Sequence, residues 1–192
     1  MKERIIKESI RLFLKKGFKG TSIQDITDAL DITKGAFYWY FKSKRDLLFE
    51  IVGVYETDFI DPLISYMRSQ EGSFLKLFRA YHRYINEFAA KNWEICVLFV
   101  TLSAELAGSG TEEERRIKAV YEKYLSFIEQ ILLKGRLEGR LKEGIETRLL
   151  SHVILAFHTG ILLQWYLYRN EIDGPSLART YRDAMLFGFV KP

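Results

Sequence analysis

The side chains that could do chemistry fall into two groups. The first is a run of cations and rings. Lys34, Lys42, Lys44 and Arg45 lie in a segment without Asp or Glu that also carries Phe37, Tyr38, Trp39, Tyr40 and Phe41. Basic residues interleaved with aromatic ones suit a surface for a phosphate backbone, although a charge cluster also serves as a solvated face beside a small core. The second group is scattered: His82, His152, His158 and a single thiol, Cys96. The chain has no Glu-x-x-His, His-Glu-x-x-His or Cys-x-x-Cys motif and no phosphate-cradling Gly-Lys loop. These patterns carry bundle di-iron sites, zinc hydrolysis, thiol redox chemistry and nucleotide binding, so no catalytic residue, metal site or cofactor is expected and the enzyme classes fare badly.

The elements that must position the first group can be read from spacing. Ile6, Ile10, Phe13 and Leu14 form one helical stripe that stops at Gly17. Thr21-Ser22 offers an N-cap with Gln24 and Asp25 in capping-box positions, and Ile23, Ile26 and Leu30 continue at helical spacing. Asp31 interrupts this short helix, tolerating a left-handed backbone better than most residues, and Thr33 caps a third helix from Lys34 to Phe41. Ser43 with Asp46 opens a fourth, with Leu47, Leu48, Ile51, Val52 and Tyr55 inward and a break at Asp61-Pro62, Asp61 as cap and Pro62 at the first helical position.

Further helices are predicted from Phe74 to about Ala90, Trp93 to about Leu106, Thr111 to about Glu138 with Gly135 as an internal weak point, Thr147 to Arg169, and Ser176 to Val190. Strand signals are missing. The expectation is an all-α chain of about nine helices, divided into residues 1–47 and 48–192. At 192 residues, 48% apolar and 28% charged, it can bury a core without disulfides. The stretch Ile154–Tyr168 is short of a membrane span and reads as a buried helix. The excess of cations over acids lies entirely within residues 1–50, and the remainder is balanced. The interrupted apolar pattern of the first residues argues against a signal peptide, which with one cysteine fits the cytoplasm.

Two short helices joined by a tight turn, the second aromatic and basic, have the layout of a helix-turn-helix whose last helix enters the DNA major groove. Phe37 and Phe41, four residues apart, can pack inward on Ile10, Phe13, Ile26 and Leu30, leaving Lys34, Gly35, Tyr38, Trp39 and Lys42 on other faces. Gly35 and Ala36 lower the side-chain wall, so the backbone can approach phosphates and base edges. Lys44 places a cation beside a positive helix end, which an anionic partner would repair.

The segment Thr21–Leu48 resembles the DNA-binding domain of the TetR family of transcriptional regulators in Thr21-Ser22, Asp25-Ile26, Ala29, Ile32-Thr33-Lys34-Gly35, Phe37-Tyr38, Tyr40-Phe41-Lys42, Lys44 and Asp46-Leu47-Leu48. It departs at Asp31, where most members have Gly, and at Tyr40, where His is common. The resemblance implies a homodimeric repressor that binds a pseudo-palindromic operator of double-stranded DNA and lets go when a small molecule occupies the C-terminal helical domain. Thr21 or Ser22, Thr33, Tyr38, Tyr40, Lys42 and Lys44 match positions that touch the DNA backbone. Lys34, Gly35, Trp39 and Gln24 match positions that reach bases, and Tyr38 fits either role. It also implies that the last two long helices pair with their copies across a two-fold axis. His152, Ala156, Gly160 and Leu163 share a face compatible with that pairing and equally with internal packing.

For an effector pocket, mostly apolar with a few convergent polar groups, the candidates are Phe78, His82, Trp93, Cys96, Phe99, Tyr124, His158 and Trp165. They suggest a flat or lipophilic organic ligand. The alternative from another class is a helical carrier or sensor of lipophilic ligands without sequence-specific DNA binding.

Overall fold

A computed structural model describes residues 1–191, and all regular structure in them is helical. In chain order the helices are α1 (Lys2–Lys16), α2 (Ile23–Leu30), α3 (Lys34–Tyr40), α4 (Lys44–Tyr55), a π-helical turn (Glu56–Ile60), α5 (Asp61–Arg68), α6 (Phe74–Lys91), α7 (Trp93–Leu106), α8 (Glu112–Leu137), α9 (Thr147–Leu167) and α10 (Gly174–Phe189). The one bridge between extended residues joins Leu141 to Val190. The chain forms two compact units, Met1–Phe59 with Asn92–Val120, and Ile60–Lys91 with the chain from Tyr121 on.

In the first unit, α1 buries Ile5, Ser9, Ile10 and Phe13. The stripe is therefore rotated by one residue from the expected one, and Ile6 and Leu14 are only half-buried. Leu47, Leu48, Ile51, Val52 and Tyr55 of α4 all face inward as their spacing predicts, and α7 adds Val97, Leu98, Leu102 and Leu106. Asp31 takes the left-handed conformation at φ 51° that closes α2, its N–H donating to the carbonyls of Asp28 and Thr27.

The expected break at Asp61-Pro62 takes another form. The chain winds through the π-helical turn, and α5 starts at Asp61 without a side-chain cap, with Pro62 in its first turn. A wider turn is one way to accommodate a residue that has no N–H to donate. The Asp61 carboxylate, predicted as that cap, instead pairs with Lys123 of α8. With Asp61–Arg68 included, ten α-helices lie among the described residues.

In the second unit, Gly135 has a role opposite to the one read from sequence. A side chain there would begin 2.8 Å from the ring of Phe74, itself fully buried, so the glycine lets α8 pass close to the start of α6. The Phe74 N–H donates to the Glu138 carboxylate at 2.9 Å in the same place. The buried helix expected at Ile154–Tyr168 is also corrected. Only Thr147, Ser151 and Ile154 of α9 are buried, while Leu149 and Leu167 are 60% and 70% exposed and Phe187 of α10 is 84% exposed. By length and composition alone α9 would also suit a membrane crossing. His152, Ala156, Gly160 and Leu163 are all exposed, which excludes internal packing as the reason for their small-residue face.

Replacing Gly135 by Ala sets a helix-propensity gain of about 1 kcal/mol against overpacking of about 1–3 kcal/mol. Because the added carbon forces the fully buried Phe74 ring to shift, Gly135→Ala is expected to lower the denaturant midpoint of unfolding. A rise would show that the close approach relaxes freely.

Candidate functional site

Three side-chain caps shape the helix-turn-helix. Ser22 Oγ accepts from the Asp25 N–H at 3.0 Å while the Asp25 carboxylate accepts from the Ser22 N–H at 2.8 Å, completing a capping box. Lys16 beside that carboxylate, with the Ser22 donors, holds Asp25 well below the usual carboxylate range. Thr33 caps α3 through the Ala36 N–H at 3.1 Å, and Ser43 caps α4 through Asp46 at 3.0 Å. The Asp46 carboxylate turns back to the Lys42 N–H at 3.0 Å.

These caps fix the rotation of α3. Phe37 and Phe41 are buried, with ring centroids 5.8 Å apart. Lys34, Gly35, Tyr38, Tyr40 and Lys42 are exposed, and Trp39 is 83% exposed. Among the described residues no carboxylate pairs with Lys34 or Lys42, although Lys2, Lys16, Arg11 and Arg45 nearby all have acid partners. At Gly35 a side chain would meet nothing closer than Thr33 Oγ1 at 3.6 Å, so no contact within the chain demands its absence. Gln24 is exposed on α2 with its amide hydrogen-bonded to Asp28.

Two predicted backbone contacts have other occupations. Thr21 is buried, its hydroxyl donating to the Gly17 carbonyl at 2.7 Å, which leaves Ser22 as the exposed member of the Thr21/Ser22 alternative. Lys44 donates to the carbonyls of Phe18 and Thr21, each at 2.7 Å, with its ammonium 4.5 Å from the centre of the Phe18 ring. Partial burial pulls its pKa down, opposed by the charges of Glu105 and Asp25. The cation at the positive helix end is thus repaired from within the chain. Glu105 of α7, absent from the sequence reading, holds the same loop by accepting from the N–H groups of Phe18 and Lys19 at 2.9 and 2.7 Å.

The eight pocket candidates separate. Phe78 and His82 of α6, Tyr124 of α8 and His158 of α9 meet in the second unit, joined by Tyr81 and Tyr181, which sequence reasoning missed. The hydroxyls of Tyr81 and Tyr124 are 2.7 Å apart, and Tyr81 also reaches His158 Nδ1 at 3.3 Å. Burial, aided by the charge of Arg182, pushes His82 down to about 3. Burial also keeps His158 neutral, with a smaller contribution from His82. Trp93, Cys96 and Phe99 belong to the first unit: Phe99 stacks on Tyr55 at 4.1 Å, and burial pushes the Cys96 thiol up to about 12, far from a reactive thiolate. Trp165 lies against Gly174, where a side chain would begin 2.9 Å from its indole nitrogen. A half-open groove of about 410 Å³ runs between α5 and α8, lined among others by Arg68, Lys123 and Phe127, none of them a sequence candidate.

Residues 5–51 match the model of bacterial regulatory proteins of the TetR family, and residues 56–187 match that of the C-terminal region of YsiA-like proteins. The chain belongs to the TetR family. It is accordingly a DNA-binding transcriptional regulator, all-α with an N-terminal helix-turn-helix. Over 47 residues it is 66% identical to the uncharacterized regulator YerO of Bacillus subtilis, a match that covers 24% of this chain and 16% of that protein. Across 96% of this TetR-family chain and 93% of the relative it is 21% identical to the fatty acid metabolism regulator protein of B. subtilis. Among solved structures, the MbdR regulator from Azoarcus sp. CIB superposes with TM-score 0.87 at 26% identity, covering 96% of both chains. B. subtilis FadR in complex with stearoyl-CoA superposes with TM-score 0.79 at 20% identity, covering 97% of this chain and 98% of that one.

The buried imidazole gives a pH prediction. His82 is neutral in the folded chain, whereas an unfolded histidine takes a proton near 6.5. Its contribution is therefore complete above 6.5 and is lost as pH falls toward about 3. Unfolding midpoints measured across that window should fall with pH, and His82→Phe should flatten the fall. An unchanged slope would count against a neutral, buried His82.

Proposed function

We propose that this regulator is a repressor that binds a pseudo-palindromic operator as a homodimer and is released by a small lipophilic or aromatic effector. The observation that carries the DNA-reading part is the outer face of α3. Lys34, Gly35, Tyr38 and Trp39, with Lys42 just beyond the helix, form a surface of cations and rings that displays a tryptophan at 83% exposure, an arrangement that costs apolar exposure in the free protein and suits a groove. Lys34, Gly35, Trp39 and Gln24 are assigned to base edges. Ser22, Thr33, Tyr40 and Lys42 are assigned to phosphates, and Tyr38 to either. Thr21 and Lys44 support the surface from behind. The nearby regulators named for fatty acid metabolism and solved with stearoyl-CoA support an effector with a long or flat apolar body.

The functional division we propose falls at residues 1–47 and 48–192, with effector binding and dimerisation in the latter. The exposed apolar residues of α9 and α10, Leu149, Val153, Phe157, Leu167 and Phe187, offer a second copy an isologous face. Such a copy, rather than a bilayer, accounts for the apolar outer side of α9. The reading requires no catalytic step and a location with the DNA in the cytoplasm.

Selection of duplexes from a random pool, followed by binding at several salt concentrations, tests this. A palindromic winner with steep salt dependence is expected. Lys34→Ala and Lys42→Ala should each reduce the salt slope by about 1, whereas Lys44→Ala should leave the slope and lower stability by about 1 kcal/mol through the loop carbonyls it abandons. No enriched duplex, with apolar ligands still bound, would leave a helical carrier in place of a repressor. Sedimentation should show a dimer, and a monomer would remove the two-fold operator.

A further inference from the structure

We infer that His82, His158 and Tyr181 form the polar end of the effector site and take a neutral carbonyl oxygen carried by an otherwise apolar ligand. The inference rests on the effector-release reading above and specifies the chemistry of its site. The three rings, from α6, α9 and α10, form a triangle with centroid separations of 5.4, 5.3 and 5.5 Å, and each pair is packed edge to face. His82 is 1% exposed and Tyr181 7% exposed. Four buried polar atoms in the triangle have no protein partner: both ring nitrogens of His82, Nε2 of His158 and the hydroxyl of Tyr181. Buried groups of this kind are nearly always paired, because leaving one unpaired costs about 1–3 kcal/mol. A concentration of them on three converging rings therefore points to a partner from outside the chain.

The donors decide what that partner offers. Each neutral imidazole has one N–H and Tyr181 has one O–H, so several protons can converge on an acceptor oxygen. Charge decides the rest. Phe78 packs against His82, with Phe189 behind it, and the nearby guanidinium of Arg182 is already paired with Asp183 at 2.9 Å. A buried carboxylate would lack a free cation, whereas a ketone, ester or thioester carbonyl needs none. The cluster also neighbours the groove of about 410 Å³ between α5 and α8: Phe127 in the groove wall has its ring 6.2 Å from that of Tyr81, which reaches His158.

The test uses the full chain with ¹⁵N-labelled histidine and three probes of similar shape: acetophenone, ethylbenzene and benzoate. Acetophenone should shift the imidazole nitrogens of His82 and His158 saturably and leave exposed His152 unmoved, with ethylbenzene binding about three- to tenfold more weakly. Tyr181→Phe should weaken acetophenone about three- to tenfold without affecting ethylbenzene, and should leave the melting temperature equal or higher because no protein hydrogen bond is lost. The assignment is overturned if acetophenone binds no better than ethylbenzene, if benzoate binds best, if Tyr181→Phe changes nothing, or if no probe moves the two imidazoles. Operator release by a panel of acyl-CoA thioesters, measured on both proteins, separates the two readings. Release equal in both, with probes that fail, keeps the effector and removes the triangle. Imidazole shifts without release by any compound keep the triangle and remove the repressor's release step.

Discussion

Helices of eight and seven residues, such as α2 and α3, leave roughly as many backbone groups unpaired at their ends as they pair within. The surface proposed to face DNA therefore depends on how those ends are satisfied. Ser22, Thr33 and Ser43 close three N-termini, Asp31 closes one C-terminus through a left-handed residue, and Lys44 and Glu105 take the carbonyls and N–H groups of the loop between α1 and α2. With those ends secured, two apolar anchors, Phe37 and Phe41, are enough to set the rotation of α3. Every exposed position on it follows from that rotation. Lys44 shows how residue type and role separate: its charge serves the backbone of its own chain.

The local rules were legible in the sequence. Capping spacings located α2, α3 and α4, and apolar periodicity located α6 through α10, with Trp93–Leu106 falling on the predicted ends of α7. What was not legible required knowledge of a neighbour. Gly135 reads as a helix weakness until Phe74 is seen beside it, Lys44 reads as free until the loop carbonyls are seen facing it, and α9 reads as buried because its apolar residues do not reveal which faces the chain covers. The candidate pocket divided for the same reason. Of the residues selected by type, the fold brings Phe78, His82, Tyr124 and His158 into one cluster, but Trp93, Cys96 and Phe99 are of the same type and serve another core.

The second unit runs against the usual sorting of side chains, and it does so on the same helices. On α9, His158 turns its ring inward while its neighbour Phe157 is 48% exposed. On α10, Tyr181 is inside and Phe187 outside. Polar groups unpaired within and apolar groups uncovered without both cost stability in an isolated chain. The two are also linked, because Phe157 stacks on Tyr181 at 5.9 Å, so a group bound among the inner rings and a copy seated on the outer face would press on the same pair of side chains. In the proposed assembly, that stack links effector and partner.

The three tryptophans add an optical consequence. Trp39 stands on the outer face of α3, Trp93 opens α7, and Trp165 on α9 rests against the bare backbone of Gly174. Their indoles occupy surroundings from nearly open water to a half-buried helix face, so their emission differs in colour and in access to quenchers. The native chain is consequently labelled at the face proposed for DNA and on the helix that carries His158 without any added dye. Single replacements by Phe would assign each band to its place.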